Sequence, residues 1–214
     1  MLEVFQCDLS ISRNELGLTR DVYTRGELRN RLRGKISATG WSARGSYPIT
    51  VPLQQLVDDF SDRIATGAVA SVTSYFRLLP GSGYTAGGRR ATSRPLAYSR
   101  GRLRPSNEDV GALGEGVAGY YLETYEGLQF EIRPFDVSPD LIFYEPSTRA
   151  YVLAEVKSSL HSWPRTLVRD SMELLEILAK TWFIRRRTYV AYVVLVRIES
   201  ISDFVVRRLK VEVS

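Results

Sequence analysis

A single cysteine, Cys7, and a single histidine, His161, occur in 214 residues. One thiol cannot close an internal disulfide, and one thiol with one imidazole cannot complete a Cys/His zinc site. Long apolar runs are missing too. The longest, residues 189–196, falls far short of the ~20 residues needed to span a bilayer, so no membrane partner is expected. The opening MLEVFQCDLS has neither a basic stretch nor an extended apolar one, which leaves no signal peptide and an expected cytoplasmic location. Lysine is scarce, four against twenty-five arginines. Acid is absent altogether from residues 63–107, a segment with eight arginines, so it carries +8 and the remainder −3 of the net +5.

A codon preference explains arginine over lysine, but not 45 residues without a carboxylate. An acid-free basic segment suits contact with a phosphate backbone. The candidate nucleic-acid contacts are Arg77, Arg89, Arg90, Arg94, Arg100, Arg102 and Arg104, with Tyr84 and Tyr98 interleaved for stacking on bases. The stretch around them is rich in Gly, Ser and Pro and reads as a long loop.

What is present suffices for a core: 44% hydrophobic and 11% aromatic residues exclude global disorder. Residues 2–11 alternate as a strand. Residues 22–34 read as a charged helix ending at Gly34, residues 39–47 as a loop, and residues 52–66 as a helix with Leu53, Leu56, Val57, Phe60 and Ile64 on one face. Residues 69–79 read as a strand. From Ser106, with acids in the first turn, a helix is expected to about Tyr125, its four glycines allowing close packing. A strand over 128–135, a helix over 167–183, a buried strand over 189–198 and a final element of undefined type over 202–213 follow.

Between them lies SPDLIFYEPSTRAYVLAEVKSS. Two apolar runs, 141–144 and 151–156, flank the turn-like Pro146-Ser147-Thr148-Arg149, the pattern of a β-hairpin. A turn centred between Ser147 and Thr148 sets Asp140 across from Glu155, with Cβ atoms roughly 4.5–5.5 Å apart. Lys157 shares that face, because strand side chains alternate with period two. Both strands are otherwise apolar on both faces, which predicts cover from both sides. Facing carboxylates beside such a core need a counter-charge, and an all-oxygen set suits Mg²⁺ or Mn²⁺. Taken singly, Asp140 is an ordinary turn residue, and His161, without an arranged partner, offers no triad to Ser158 or Ser159.

Pro139-Asp140 followed by Glu155-Val156-Lys157 resembles the motif of the PD-(D/E)XK nuclease superfamily. The order helix, strand, strand, strand, helix, strand over residues 106–198 is similar to that superfamily's αβββαβ core. The resemblance implies an α/β fold: a restriction-endonuclease-like core with a central mixed sheet flanked by helices over 106–214. The resemblance does not reach residues 1–105, where the basic segment instead leads to the expectation of an N-terminal mixed α+β lobe that binds DNA. The resemblance also implies Asp140, Glu155, Lys157 and Glu115 as catalytic residues. Asp140, Glu155, Glu115 and the Val156 carbonyl would be the metal ligands, with Glu123 and Glu126 as weaker matches for the helix glutamate. The implied activity is Mg²⁺-dependent hydrolysis of double-stranded DNA by an endonuclease of restriction or phage-defence type. A homodimer joined through residues 202–213 is a further expectation. A Holliday-junction resolvase and a binding subunit without turnover are the alternatives.

Overall fold

The computed structural model describes residues 1–61, 67–77, 85–86, 89–90, 104–134, 138–185 and 189–213. Its elements in chain order begin with β1 (Leu2–Ile11), α1 (Arg13–Gly17), a 3-10 turn at Leu18–Arg20, α2 (Val22–Thr39), β2 (Ser42–Tyr47), α3 (Leu53–Phe60) and α4 (Ala68–Arg77). The short strands β3 (Thr85–Ala86) and β4 (Arg89–Arg90) come next, then α5 (Asn107–Glu126), β5 (Gln129–Ile132), β6 (Leu141–Glu145) and β7 (Ala150–Leu160). The chain closes with α6 (Leu167–Arg185), β8 (Tyr189–Ile198) and β9 (Phe204–Val213).

One seven-stranded mixed sheet runs in the order β2-β1-β9-β8-β7-β6-β5. β1 with β9 and β7 with β8 are parallel, and the remaining neighbours are antiparallel. Helices lie on both faces, which makes the protein an α/β fold. β8 explains why: Val190, Tyr192, Val194 and Val196 enter one core with α3, α4 and α5, while Ala191, Val193 and Leu195 enter a second with α6 and α2. A strand buried on both sides must be apolar at every position, as this one nearly is.

α5 begins at a capping box, Ser106 with Asp109, and ends at Gly127 with φ 72°. Its glycines permit close approach. A Cβ on Gly116 would stand 2.9 Å from the Leu56 carbonyl carbon and oxygen, and one on Gly114 would overlap the Ser158 side chain on β7. This contact holds α5 tight against the strand that carries Glu155 and Lys157.

Several elements differ from the sequence reading. α2 continues past Gly34 to Thr39 and stops at Gly40, whose φ of 70° suits glycine. A Cβ on Gly34 would meet nothing within 4 Å, so this glycine costs helix propensity without breaking the helix. Residues 42–47, expected as loop, form edge strand β2, which escapes notice because SARGSY has no buried alternate positions. The register shifts between Val4 and Phe5, leaving Arg44 between their partners Gly45 and Ala43. Residues 68–77 are helix, not strand, because Ala68, Val72 and Phe76 recur every four residues and bury against the first core. The final segment is a full central strand, β9, hydrogen-bonded to β1 on one side and β8 on the other. Its backbone is therefore not an edge for a dimer to use.

A boundary at residue 105 does not follow the hydrogen bonding either. β1 pairs with β9 over ten positions, so the first strand belongs to the same sheet as the last. Cover of the hairpin is also one-sided in part: Leu141, Phe143 and Val152 are buried, but Tyr151 on the other face is 51% exposed. No helix among the described residues is long and apolar enough to cross a membrane.

Candidate functional site

The hairpin register is the one its turn residues predict. Leu141 pairs with Ala154, Ile142 with Leu153, and Glu145 with Ala150. Asp140 is the residue immediately before the first pair, so the same register aligns it with Glu155. Ser138 and Pro139, joined by a cis peptide bond, lead into it.

Five polar contacts knit the site. Lys157 Nζ donates to Glu155 Oε1 at 2.5 Å, to Val156 O at 3.2 Å and to Asp140 Oδ2 at 3.4 Å. The Val156 amide donates to Asp140 Oδ2 at 2.7 Å. On the far side, Ser138 Oγ donates to Glu155 Oε2 at 2.7 Å. Glu155 is 4% exposed, a depth at which a carboxylate survives only with partners. Lys157 and Asp140 are more open, at 31% and 22% side-chain exposure, so the site meets solvent at their end.

The charges do not balance. Burial and the neighbouring Glu155 carboxylate raise the Asp140 pKa to about 6, against the pull of Lys157 and of the Val156 amide. Burial alone would lower the Lys157 pKa, but Asp140 and Glu155 outweigh it and hold the ammonium above its usual value. Lys157 is therefore a fixed cation at neutral pH, and one cation serves two carboxylates.

Glu115 stands behind this group rather than in it. Its Oε2 accepts from Arg133 Nε at 3.1 Å and from Ser61 Oγ at 3.0 Å, though its charge adds to the raising of Asp140. Among the described residues, no cluster of three or more His, Cys, Asp or Glu side chains is arranged to hold a metal. The oxygens that meet around Lys157 are those of Asp140, Glu155 and the Val156 carbonyl. Glu123 accepts from the Phe130 amide at 3.5 Å. Glu126 belongs to a buried network with Arg44, Tyr121 and Arg208, an architectural position.

The other sequence candidates fall into two groups. Ser158 Oγ donates to the Val110 carbonyl, Ser159 Oγ to that of Ser162, and His161 packs against Phe76 with ring centroids 5.3 Å apart. None of them joins the carboxylates. Among the arginines, Arg104 is exposed, Arg77 closes α4 and Arg89 with Arg90 forms β4, while Arg94, Arg100 and Arg102 lie outside the described residues, as do Tyr84 and Tyr98.

One acid escaped sequence reasoning. Asp170 in the first turn of α6 is fully buried, its Oδ1 accepts from Arg169 and its Oδ2 has no hydrogen-bond partner among the described residues. Its charge also acts on Lys157. An aspartate there reads from sequence as a complement to the helix dipole, with no sign of its depth. No protein-family model matches the chain, and neither curated proteins nor solved structures give a match.

Proposed function

We propose that the chain is a metal-dependent nuclease of the PD-(D/E)XK kind that hydrolyses phosphodiester bonds of double-stranded DNA. The observation carrying this reading is the meeting of two carboxylates and one ammonium, from paired strands of a hairpin, at a partly open position of the sheet. The succession α5-β5-β6-β7-α6-β8 supports it, since the resemblance implies that order around such a site.

The donor set fits Mg²⁺ or Mn²⁺. It is all oxygen, and Mg²⁺ is commonly held by one or two carboxylates, with waters and substrate phosphate completing six positions. The raised pKa of Asp140 is that of a carboxylate pair short of positive charge. A divalent cation bound there lowers the pKa of a coordinated water and offsets charge on the scissile phosphate.

The chain's own groups do the positioning. Asp140 and Glu155 present the oxygens, fixed by the Val156 amide and by Ser138 Oγ. Lys157, held as ammonium, orients the attacking water and stabilises negative charge developing on the phosphate, rather than removing a proton. Glu115, occupied by Arg133, sets the charge behind Asp140.

The test is cleavage of supercoiled plasmid, linear duplex, four-way junction and single-stranded DNA with Mg²⁺ or Mn²⁺. Asp140→Asn and Lys157→Met are expected to slow cleavage by about 100-fold or more. Conversion of supercoiled to open-circular plasmid identifies an endonuclease. Undiminished cleavage by both variants removes the site assignment, and salt-sensitive binding without cleavage by the intact protein leaves a binding module instead.

A further inference from the structure

The sheet face that carries Lys157 also bears a second cationic group, which the carboxylate site does not use. Lys157 aligns with Leu195 on β8, and Leu195 with Arg207 on β9, so the three form one row on one face. The next row holds Ser159 and Arg197, which places Arg197 diagonal to Arg207. Two tryptophans complete the group. The guanidinium carbons of Arg207 and Arg197 lie 4.2 and 4.7 Å from the Trp163 ring centroid. Trp41, just before β2, has its centroid 5.4 Å from the guanidinium carbon of Arg207. Both indoles pack on the second core, so the arginines rest against rigid surfaces.

The charge count here runs opposite to that of the carboxylate site. Arg197 has an acid, Glu199, with Nε 2.5 Å from Oε1. Arg207 has no carboxylate and no hydrogen-bond acceptor among the described residues, and its Nε is buried. Burial and the like charge of Arg197 both work against its ionised form, yet a guanidinium keeps its proton at any physiological pH. A half-buried cation next to another cation is unfavourable until an anion joins it. Stacking on indoles occupies the faces of a guanidinium and leaves the in-plane N–H fork for oxygen ligands, the geometry that suits phosphate.

We infer that Arg207 and Arg197, set by Trp163 and Trp41, form a phosphate subsite that grips the nucleic-acid strand beside the carboxylate site. Two strand spacings separate Arg207 from Lys157, about 10 Å, which lies within a few nucleotides of the scissile bond. The inference rests on the preceding reading for the identity of the ligand, but not on turnover. It adds to the basic 63–107 segment a contact built into the sheet itself, with fixed geometry relative to the carboxylates.

The experiment measures binding of fluorescein-labelled single- and double-stranded oligonucleotides in chelator, across a range of salt, by anisotropy and by intrinsic tryptophan fluorescence. Arg207→Gln is expected to weaken binding on the order of tenfold at low salt, and to reduce the slope of log affinity against log salt by about one. Arg207→Lys keeps the slope but not the full affinity, because an ammonium cannot supply the stacked fork. An unchanged slope in Arg207→Gln, with an unaltered circular-dichroism spectrum, overturns the subsite. Should that variant fail to fold, the unaltered protein decides: no change in indole fluorescence at saturating oligonucleotide overturns the subsite equally. A protein that cleaves while Arg207→Gln binds normally loses only the subsite. One that binds through Arg207 and never cleaves loses only the nuclease reading.

Discussion

Burial and a facing carboxylate act on Asp140 in the same direction, and the consequence is a measurable dependence of stability on pH. The folded pKa of about 6 lies above the usual 3.8, so the protonated form is the one the fold prefers. Stability from this group is complete below the unfolded value and is lost as pH rises through the folded one. In chelator at neutral pH, Asp140→Asn is therefore expected to be more stable than the unaltered protein by on the order of 2 kcal/mol. The gap closes as pH falls from above 6 towards 4, and denaturant melts at several pH values read it. A variant less stable at every pH would mean that Asp140 is favoured as the anion. Glu155 and Asp170 lie deeper still; the apolar run VLAEVKS marks the first for burial, but nothing in LVRDSME marks the second, and a buried acid looks like a surface acid until its neighbours are known.

At the scale of elements, α5 is governed by contact rather than by propensity. Its glycines are poor helix formers, and two of them differ in what surrounds them. Gly111 has nothing within 4 Å of a would-be Cβ, whereas at Gly116 that atom meets the Leu56 and Val57 backbone at 2.9 to 3.0 Å. Gly111→Ala is expected to stabilise by up to about 1 kcal/mol through helix propensity. Gly116→Ala is expected to destabilise by about 1–2 kcal/mol, because overpacking against an immovable backbone exceeds that gain. Opposite signs in thermal or denaturant unfolding check the pair, and equal stabilisation by both would mean that α3 does not pack closely on α5. Similar contact turns residues 68–77 into helix, where burial at every fourth position prevails over β-branched composition.

The whole molecule is tied together by its ends. β9 stands between β1 and β8, and Arg208 on β9, only 3% exposed, pairs with Asp8 on β1 and Glu126 on α5. Residues 106–214 expressed alone would therefore expose one full edge of β9 and strip the second core of β1, α1 and α2. That fragment is expected to lack a cooperative unfolding transition and well-dispersed amide resonances, whereas the full chain has both. A cooperatively folding fragment would restore the two-part division that the charge distribution suggests.

Local chemistry was enough for whatever depends on neighbours in the chain. Two apolar runs about a turn of four residues determined the hairpin and its register, hence the alignment of positions 140 and 155, and the period-two direction of strand side chains added position 157 to the same face. Capping residues likewise marked the start of α5, since such signals act within a few residues. Partners across long separations were decided only by the tertiary structure: β9 against β1, Arg133 on Glu115, and the indoles of Trp41 and Trp163 against Arg207. These depend on which surfaces meet after the sheet closes, and a contact between residues 41 and 207 leaves no periodic trace in either segment.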